Sequence, residues 1–222
     1  MPRKLGIFHP AAWIVPQATI YTDEILPDVE IVTITDDSLS REFIATRELS
    51  PYIISRFCRY MQLLREAGCD VVMTGCSTLS PCVDYARPLL DCPVLRIDEP
   101  MARLAVAKRG RVAVLGTLES TMPSSVGLVR RIADEMGRDI TITERVVRLA
   151  FDAWRAGEIK THNRLCLEAM RELQESVDVI ECAQISMSCL DEDIQAADWL
   201  RVPVYTSGRT GFRAAREVIM SL

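Results

Sequence analysis

The strongest chemical signal in this chain is a thiol placed at the end of a predicted buried strand. Cys76 stands in the run Thr-Gly-Cys-Ser-Thr at 74–78, just before a helix predicted to begin near Ser80. Backbone N–H groups and the helix dipole favour a thiolate at such a position, and a thiolate can accept a proton. Ser77 and Thr78 add hydroxyl donors for a bound anion. The alternative is an ordinary buried cysteine, since the chain contains eight.

The chain contains the same strand-and-turn pattern twice. Each copy has an acidic residue, a β-branched run and a polar group where the strand should end, in segments that align without gaps. The aligned pairs are 70–77 with 178–185, 4–8 with 111–115, and 92–95 with 202–205, at offsets of 108, 107 and 110. Three pairs in the same order predict a duplicated α/β lobe.

The two copies differ at the position of the thiol: the residue that aligns with Cys76 is Gln184. If the two lobes face each other, Cys76 confronts Gln184, which cannot exchange protons. Cys182 lies two residues earlier on the same face of the predicted strand, and a shift or a bulge would bring it forward. Both residues are therefore candidates for the group that faces Cys76.

Polar residues at other predicted strand ends are candidates for substrate binding. Thr117 and Thr121 follow the first strand of the second lobe, where hydroxyls and free N–H groups could cradle a carboxylate; Thr121 is equally explained as a helix N-cap. His9 stands at the matching place in the first lobe, and it could bind an anion, relay a proton or be an ordinary loop residue. We expect His162 to face solvent on an amphipathic helix. The run Asp98-Glu99-Pro100 mainly indicates a helix start, although a carboxylate there could orient a neighbouring group, and we assign it no role.

Continuous apolar runs separated by amphipathic segments predict parallel strands with helices on both sides. The predicted strands are 5–9, 30–35, 71–74, 94–97, 111–115, 140–143, 179–182 and 202–206. The predicted helices include 51–67, capped by Ser50 and stopped by Gly68, then 121–136 and a last helix from about 210.

The expected fold class is α/β, with two pseudo-symmetric lobes. Each lobe is a short, mainly parallel sheet flanked by helices, with the active site in the cleft between them. We place the N-terminal lobe at 1–108 and the C-terminal lobe at 109–222, near the run Lys108 to Arg111, with a C-terminal helix that can pack across.

Composition excludes several classes of protein. Hydrophobic residues make up 49% of the chain and the net charge is −5 with the signs interspersed, so we expect no nucleic-acid partner and no membrane partner. The start lacks the apolar core of a signal peptide, which predicts a cytoplasmic protein. The eight cysteines form no C-x-x-C pair and only two histidines are present, so we expect no metal site and mostly reduced, buried thiols.

These features together resemble the aspartate/glutamate/hydantoin racemase superfamily, which includes maleate isomerases and arylmalonate decarboxylases. The resemblance covers nearly the whole chain, through the two lobes, the Cys-Ser-Thr turn at 76–78, PVLRIDEPM at 93–101 and VAVLGT at 112–117. It implies two opposed cysteines and no cofactor: a thiolate removes the proton next to a carboxylate, and the opposite thiol returns a proton to the other face. It also implies a homo-oligomer, a dimer.

The leading hypothesis is a cofactor-independent isomerase, an amino-acid or hydantoin-type racemase, that acts on a small carboxylate. Cys76 matches the first cysteine of the family and would be the acid/base, while Ser77, Thr78 and Thr117 would hold the anion. Gln184 in the place of the second cysteine leaves alternatives open. These are a single-cysteine decarboxylase, a cis-trans isomerase of a small dicarboxylate, and a binding protein that has lost the chemistry.

Overall fold

Two compact units of the same design make up the chain. A computed structural model describes residues 2–108 and 110–222. The first unit comprises the chain up to Glu99 together with Gly208–Leu222, and the second unit comprises Pro100–Ser207. The lobe boundary predicted near residue 108 stays a prediction, and Arg109, which lies at it, is outside the described residues.

The first unit is built around a parallel sheet of four strands. These are β1 (Lys4–His9), β2 (Glu30–Thr35), β3 (Val71–Thr74) and β4 (Val94–Arg96), in the spatial order β2-β1-β3-β4. The helices that follow the first three strands are α1 (Val15–Ile25), α2 (Asp37–Thr46), α3 (Pro51–Glu66) and the short α4 (Val83–Ala86).

The two central strands of this sheet are covered on both faces. The last five residues of β1 and all four residues of β3 are buried, as their apolar runs predict. Helix α3 packs its apolar face, with Phe57, Met61 and Leu64 fully buried, against one side of the sheet. The Ser50 hydroxyl accepts the N–H of Ile53 at the start of α3, so the predicted cap is present.

The second unit repeats this design. Its strands are β5 (Gly110–Gly116), β6 (Ile140–Val146), β7 (Val179–Cys182) and β8 (Val204–Thr206), in the order β6-β5-β7-β8. Its helices are α5 (Glu99–Ala107), α6 (Met122–Glu135), α7 (Arg148–Arg155), α8 (Ile159–Leu173) and α9 (Asp191–Gln195), and the chain ends with α10 (Ser207–Met220), which belongs to the first unit from Gly208 onward.

The registers of the two sheets agree residue by residue. Leu5 pairs with Val71 in the first sheet, and Val112 pairs with Val179 in the second. These pairs stand at the offsets of 107 and 108 that the sequence repeat shows. The predicted α/β fold with two similar lobes is therefore confirmed. In each unit the loops that carry the candidate residues leave the carboxyl edge of the sheet, where parallel sheets bind ligands.

Candidate functional site

Cys76 lies two residues beyond the end of β3, at the carboxyl edge of the first sheet. The N–H of Gly75 donates to the carbonyl of Phe8 over 2.9 Å, so strand pairing continues to the residue before the thiol. As a residue Cys76 is partly exposed, whereas five of the eight cysteines are buried, although its thiol is largely desolvated. Cys76 therefore lies outside the hydrocarbon core.

The surroundings of Cys76 act on its charge in two directions. Desolvation is the largest influence, and it raises the pKa of the thiol above its usual value. The N–H groups of Leu79 and Thr78 and the hydroxyl of Thr78 donate towards the sulfur and lower the pKa, while Asp98 raises it further. The resting group is a neutral thiol, and donors are already in place for the thiolate that forms when the proton leaves.

His9 ends β1 and packs against the turn that leads to Cys76. Its imidazole is 1% exposed and lies so close to Gly75 that an added Cβ there would come within 2.3 Å of Cε1. Burial lowers the pKa of His9 to about 4, against a hydrogen bond to the Gly75 backbone that raises it, so the ring is neutral near pH 7. A neutral imidazole can take part in a proton relay, but it cannot attract a carboxylate by charge.

In the second unit, three donors in the loop after β5 converge on one oxygen of the protein itself. The N–H of Thr117 (2.6 Å), the hydroxyl of Thr117 (3.1 Å) and the N–H of Leu118 (3.2 Å) all donate to Oε1 of Gln184. Two of these donors are backbone amides, so only the oxygen of the carboxamide fits there, and the amide nitrogen points away from them. We call this group of donors the Thr117 cradle.

The Thr117 cradle is the group that the sequence suggests for a substrate carboxylate. In the structure it is directed at Gln184, which is 7% exposed. Substrate binding by Thr117 stays a prediction, and it would require the Gln184 oxygen to move out. Sequence reasoning missed this contact because it joins residues that are 67 positions apart in the chain.

The ladder between β5 and β7 decides which residue of the second unit is equivalent to Cys76. Leu115 pairs with Cys182 as Phe8 pairs with Thr74, and no bulge interrupts the pairs from Val112 to Leu115. The N–H of Ala183 then donates to the carbonyl of Leu115 over 2.8 Å, repeating the bond that Gly75 makes in the first unit. The equivalent of Cys76 is therefore Gln184, and the equivalent of Thr74 is Cys182.

Cys182 is held in the core of the second unit. It is fully buried in an apolar cluster with Met170 and Leu190. Burial raises the pKa of its thiol well above the usual value. A thiol in this environment is suited to packing, and a role for it in proton transfer stays a prediction.

The remaining candidate residues differ in exposure. Ser77 and Thr121 are buried, at 3% and 1% exposure, while Thr78 is partly exposed. Thr121 precedes α6 but its side chain makes no capping hydrogen bond to the helix, so capping does not explain it. Among the described residues, no three His, Cys, Asp or Glu side chains form a group that could hold a metal ion.

The expectation that His162 faces solvent is wrong. The ring is 1% exposed on α8, with Nδ1 2.8 Å from Oδ1 of Asn163 and Nε2 3.8 Å from the sulfur of Cys166. Residues four positions apart share one face of a helix, and the face that includes Cys166 points into the core. The small, buried thiol was the signal that could have placed His162 correctly.

A family model described as Asp/Glu/Hydantoin racemase matches residues 18–215 of this chain. No match to the sequence of this chain was found among curated proteins. In the part of the chain that the structure describes, no helix is both long and apolar enough to cross a bilayer.

Solved structures share the fold at low sequence identity. A glutamate racemase from Bacillus anthracis has a TM-score of 0.71 at 16% identity, over 99% of this chain and 82% of that chain. An aspartate racemase from Picrophilus torridus has a TM-score of 0.73 at 15% identity, over 98% of this chain and 94% of that one. An allantoin racemase from Klebsiella pneumoniae has a TM-score of 0.69 at 16% identity, over 99% and 88%.

Proposed function

Since this chain belongs to the Asp/Glu/hydantoin racemase family, we propose that it transfers a proton at the carbon next to the carboxylate of a small organic acid, with Cys76 as its one acid/base. One observation supports the single-thiol form of the proposal above others. Cys76 is a partly exposed residue whose thiol lies among hydrogen-bond donors, and its equivalent in the second unit, Gln184, cannot titrate.

The proposed step balances as a simple proton transfer. In the basic direction the Cys76 thiol first gives its proton to water, and the resulting thiolate takes the α-proton: the C–H bond breaks, an S–H bond forms, and the electron pair moves into an enediolate on the substrate carboxylate. In the acidic direction the thiol gives its proton to that carbon. The N–H groups of Thr78 and Leu79 and the Thr78 hydroxyl stabilise the sulfur anion whenever it is present.

Gln184 supports the single-thiol proposal because its carboxamide cannot act as an acid/base. Its oxygen is held by the Thr117 cradle, so the free end of the carboxamide is the –NH2 group, which donates hydrogen bonds and cannot exchange a proton as an acid/base. Proton removal and return then use Cys76 alone, on one face of the carbon, which favours exchange of the α-proton with retention of configuration over full racemisation.

A second candidate is decarboxylation of a malonate-type acid. It is favoured by the raised pKa of Cys76, which leaves a proton on the sulfur at rest. The bond between the central carbon and one carboxylate breaks, and CO2 leaves. The electron pair of that bond stays on the central carbon as a carbanion, which takes the proton of Cys76. Water then returns a proton to the thiolate.

Hydrogen exchange in deuterated water tests the proposal. A panel of small amino acids, dicarboxylates and hydantoins is incubated with the protein, and the α-proton signal is followed by NMR. We expect loss of that signal for at least one compound, abolished by Cys76→Ala and unchanged by Cys92→Ala, which removes another partly exposed thiol of the same unit. Exchange that survives in Cys76→Ala contradicts the proposal.

The same samples separate the two candidate reactions. Release of CO2 from malonate-type acids, with one enantiomer as product, indicates the decarboxylase. Exchange without release of CO2 indicates proton transfer at the α-carbon, the first candidate. Thermal stabilisation by a compound that is never exchanged or consumed indicates a binding protein and overturns both.

A further inference from the structure

Behind Cys76 lies a buried polar network that the proposed chemistry leaves unexplained. The hydroxyl of Ser80 is 3.1 Å from the carbonyl oxygen of Cys76 and 2.9 Å from Oδ1 of Asp98. Nε of Arg96 donates to the same carboxylate oxygen over 3.3 Å. Ser80 and Asp98 are 0% and 1% exposed, and Arg96 is 4% exposed.

Packing alone does not account for these groups. Oδ2 of Asp98 and Nη2 of Arg96 are buried without a hydrogen-bond partner among the described residues. A buried ion pair gains little stability over apolar side chains of similar size, and atoms left unpaired make it less favourable still. The charges at the end of β4 therefore need a reason other than stability.

The hydroxyl of Ser80 links this ion pair to the thiol turn. A serine has one proton to donate, so the Cys76 carbonyl and the Asp98 carboxylate share it, and the position of one acceptor depends on the other. The same turn presents the N–H groups of Thr78 and Leu79 to the sulfur. A shift of Ser80 would move those donors.

We propose that Asp98 is a positioning residue for Cys76, which it holds through the hydroxyl of Ser80 while its negative charge keeps the sulfur in the neutral, proton-donating form. The inference rests on the proposed role of Cys76. Asp98 acts on the sulfur through charge and does not touch the substrate.

The direction of the charge effect follows from the groups on the neighbouring elements. Burial raises the pKa of the Asp98 carboxyl, while the contact with Arg96 and the hydrogen bond from Ser80 lower it and favour the carboxylate form. The other groups near the turn are the neutral His9 on β1, the thiol of Cys82, and Asp84, which is 3.8 Å from Nη1 of Arg96. Farther along, Arg87 pairs with Glu99.

Alkylation of the free protein by iodoacetamide tests the charge effect without any substrate. The rate at Cys76 is measured across pH by mass spectrometry of its peptide, which separates it from the other thiols. In Asp98→Asn the amide oxygen can still accept from Ser80, but the negative charge is gone. We expect the pH midpoint of alkylation to fall, so that the rate at a fixed pH below the midpoint rises on the order of tenfold.

Asp84→Asn is the matched control, since it neutralises a half-exposed carboxylate that lies near Arg96 but makes no hydrogen bond to Ser80 among the described contacts. We expect the alkylation rate of this variant at the same fixed pH to stay within a factor of two of the wild-type rate. A purely structural role for Asp98 would change the plateau rate of alkylation and leave the midpoint in place. An unchanged midpoint in folded Asp98→Asn overturns the charge part of the proposal.

Ser80→Ala tests the connection through the hydroxyl, and it stays informative if Asp98→Asn does not fold. We expect the midpoint to stay near that of the wild type, because Asp98 keeps its charge, while amide hydrogen exchange at Thr78 and Leu79 becomes several-fold faster. Exchange equal to that of the wild type overturns the positioning role. Because neither readout uses turnover, these results stand apart from the failure or success of the proposed reaction.

Discussion

Replacing Gln184 by leucine is the most direct test of the Thr117 cradle. Leucine keeps most of the side-chain volume and removes the oxygen that accepts from Thr117 and Leu118. The buried N–H of Thr117 and the partly buried N–H of Leu118 then lose their acceptor, while the Thr117 hydroxyl can rotate to another partner. Each unsatisfied amide costs roughly 1–3 kcal/mol, so we expect a loss of about 3 kcal/mol in the free energy of unfolding.

Two control variants show whether the loss of stability comes from the missing oxygen. Gln184→Glu keeps an oxygen in the cradle and exchanges a neutral acceptor for a charged one, so we expect its stability within about 1 kcal/mol of the wild type near pH 7. Gln195→Leu makes the same change at an exposed position at the end of α9 and should alter stability by less than about 0.5 kcal/mol.

Urea unfolding followed by tryptophan fluorescence measures the effect, with Trp154 and Trp199 as reporters in the second unit. Amide hydrogen exchange at Thr117 and Leu118 adds a local readout, which should accelerate in Gln184→Leu and stay slow in Gln184→Glu. Equal stability of the leucine variant and the wild type, with slow exchange at both amides, would show that these donors do not depend on Gln184.

Three other predictions follow from the same contacts. Gln184→Cys supplies a second thiol, and we expect it to convert one-sided proton exchange into racemisation of the product, read by chiral chromatography; a product of unchanged optical purity contradicts the role assigned to Gln184. His9 has a folded-state pKa of about 4, below its unfolded value, so the unfolded state alone takes up a proton as pH falls from about 6.5 towards 4. Stability should therefore decrease by about 2–3 kcal/mol over that window, and His9→Gln should remove this part of the loss in urea titrations at each pH. Gly75→Ala should lower the free energy of unfolding by at least about 2 kcal/mol because the new Cβ would meet the His9 ring. Gly127→Ala on α6 meets nothing within 4 Å and should raise the free energy of unfolding by about 0.5–1 kcal/mol, measured by the same urea unfolding.

The strands were predictable because their physical signal is local. Buried parallel strands need continuous apolar residues, and the predicted bounds of β2, β3 and β7 agree with the structure. The predicted 140–143 stops three residues before the end of β6, where the exposed Glu144 and Arg145 follow. An exposed edge strand can continue through such residues, so composition does not mark its end.

The contacts of the site were harder to predict because they join distant parts of the chain. The equivalence of Gln184 and Cys76 could be predicted, since it follows from an ungapped repeat. The occupant of the Thr117 cradle could not, because the same donors fit a substrate carboxylate or an amide oxygen equally well. Asp98 resembled a helix start, and only the packing of β4 beside β3 shows that its carboxylate reaches Ser80.

One substitution at residue 184 accounts for two properties of the second unit. A cysteine there would offer an exchangeable proton and would leave the Thr117 cradle without the amide oxygen that fills it. Glutamine removes the proton and supplies the oxygen at the same time, because its carboxamide has an acceptor at one end and donors at the other. In the proposed function, the restriction to a single acid/base and the filled Thr117 cradle therefore have one common cause. Gln184→Cys should reverse both together, with racemisation appearing and the Thr117 amide exchanging faster, whereas recovery of one without the other would separate them.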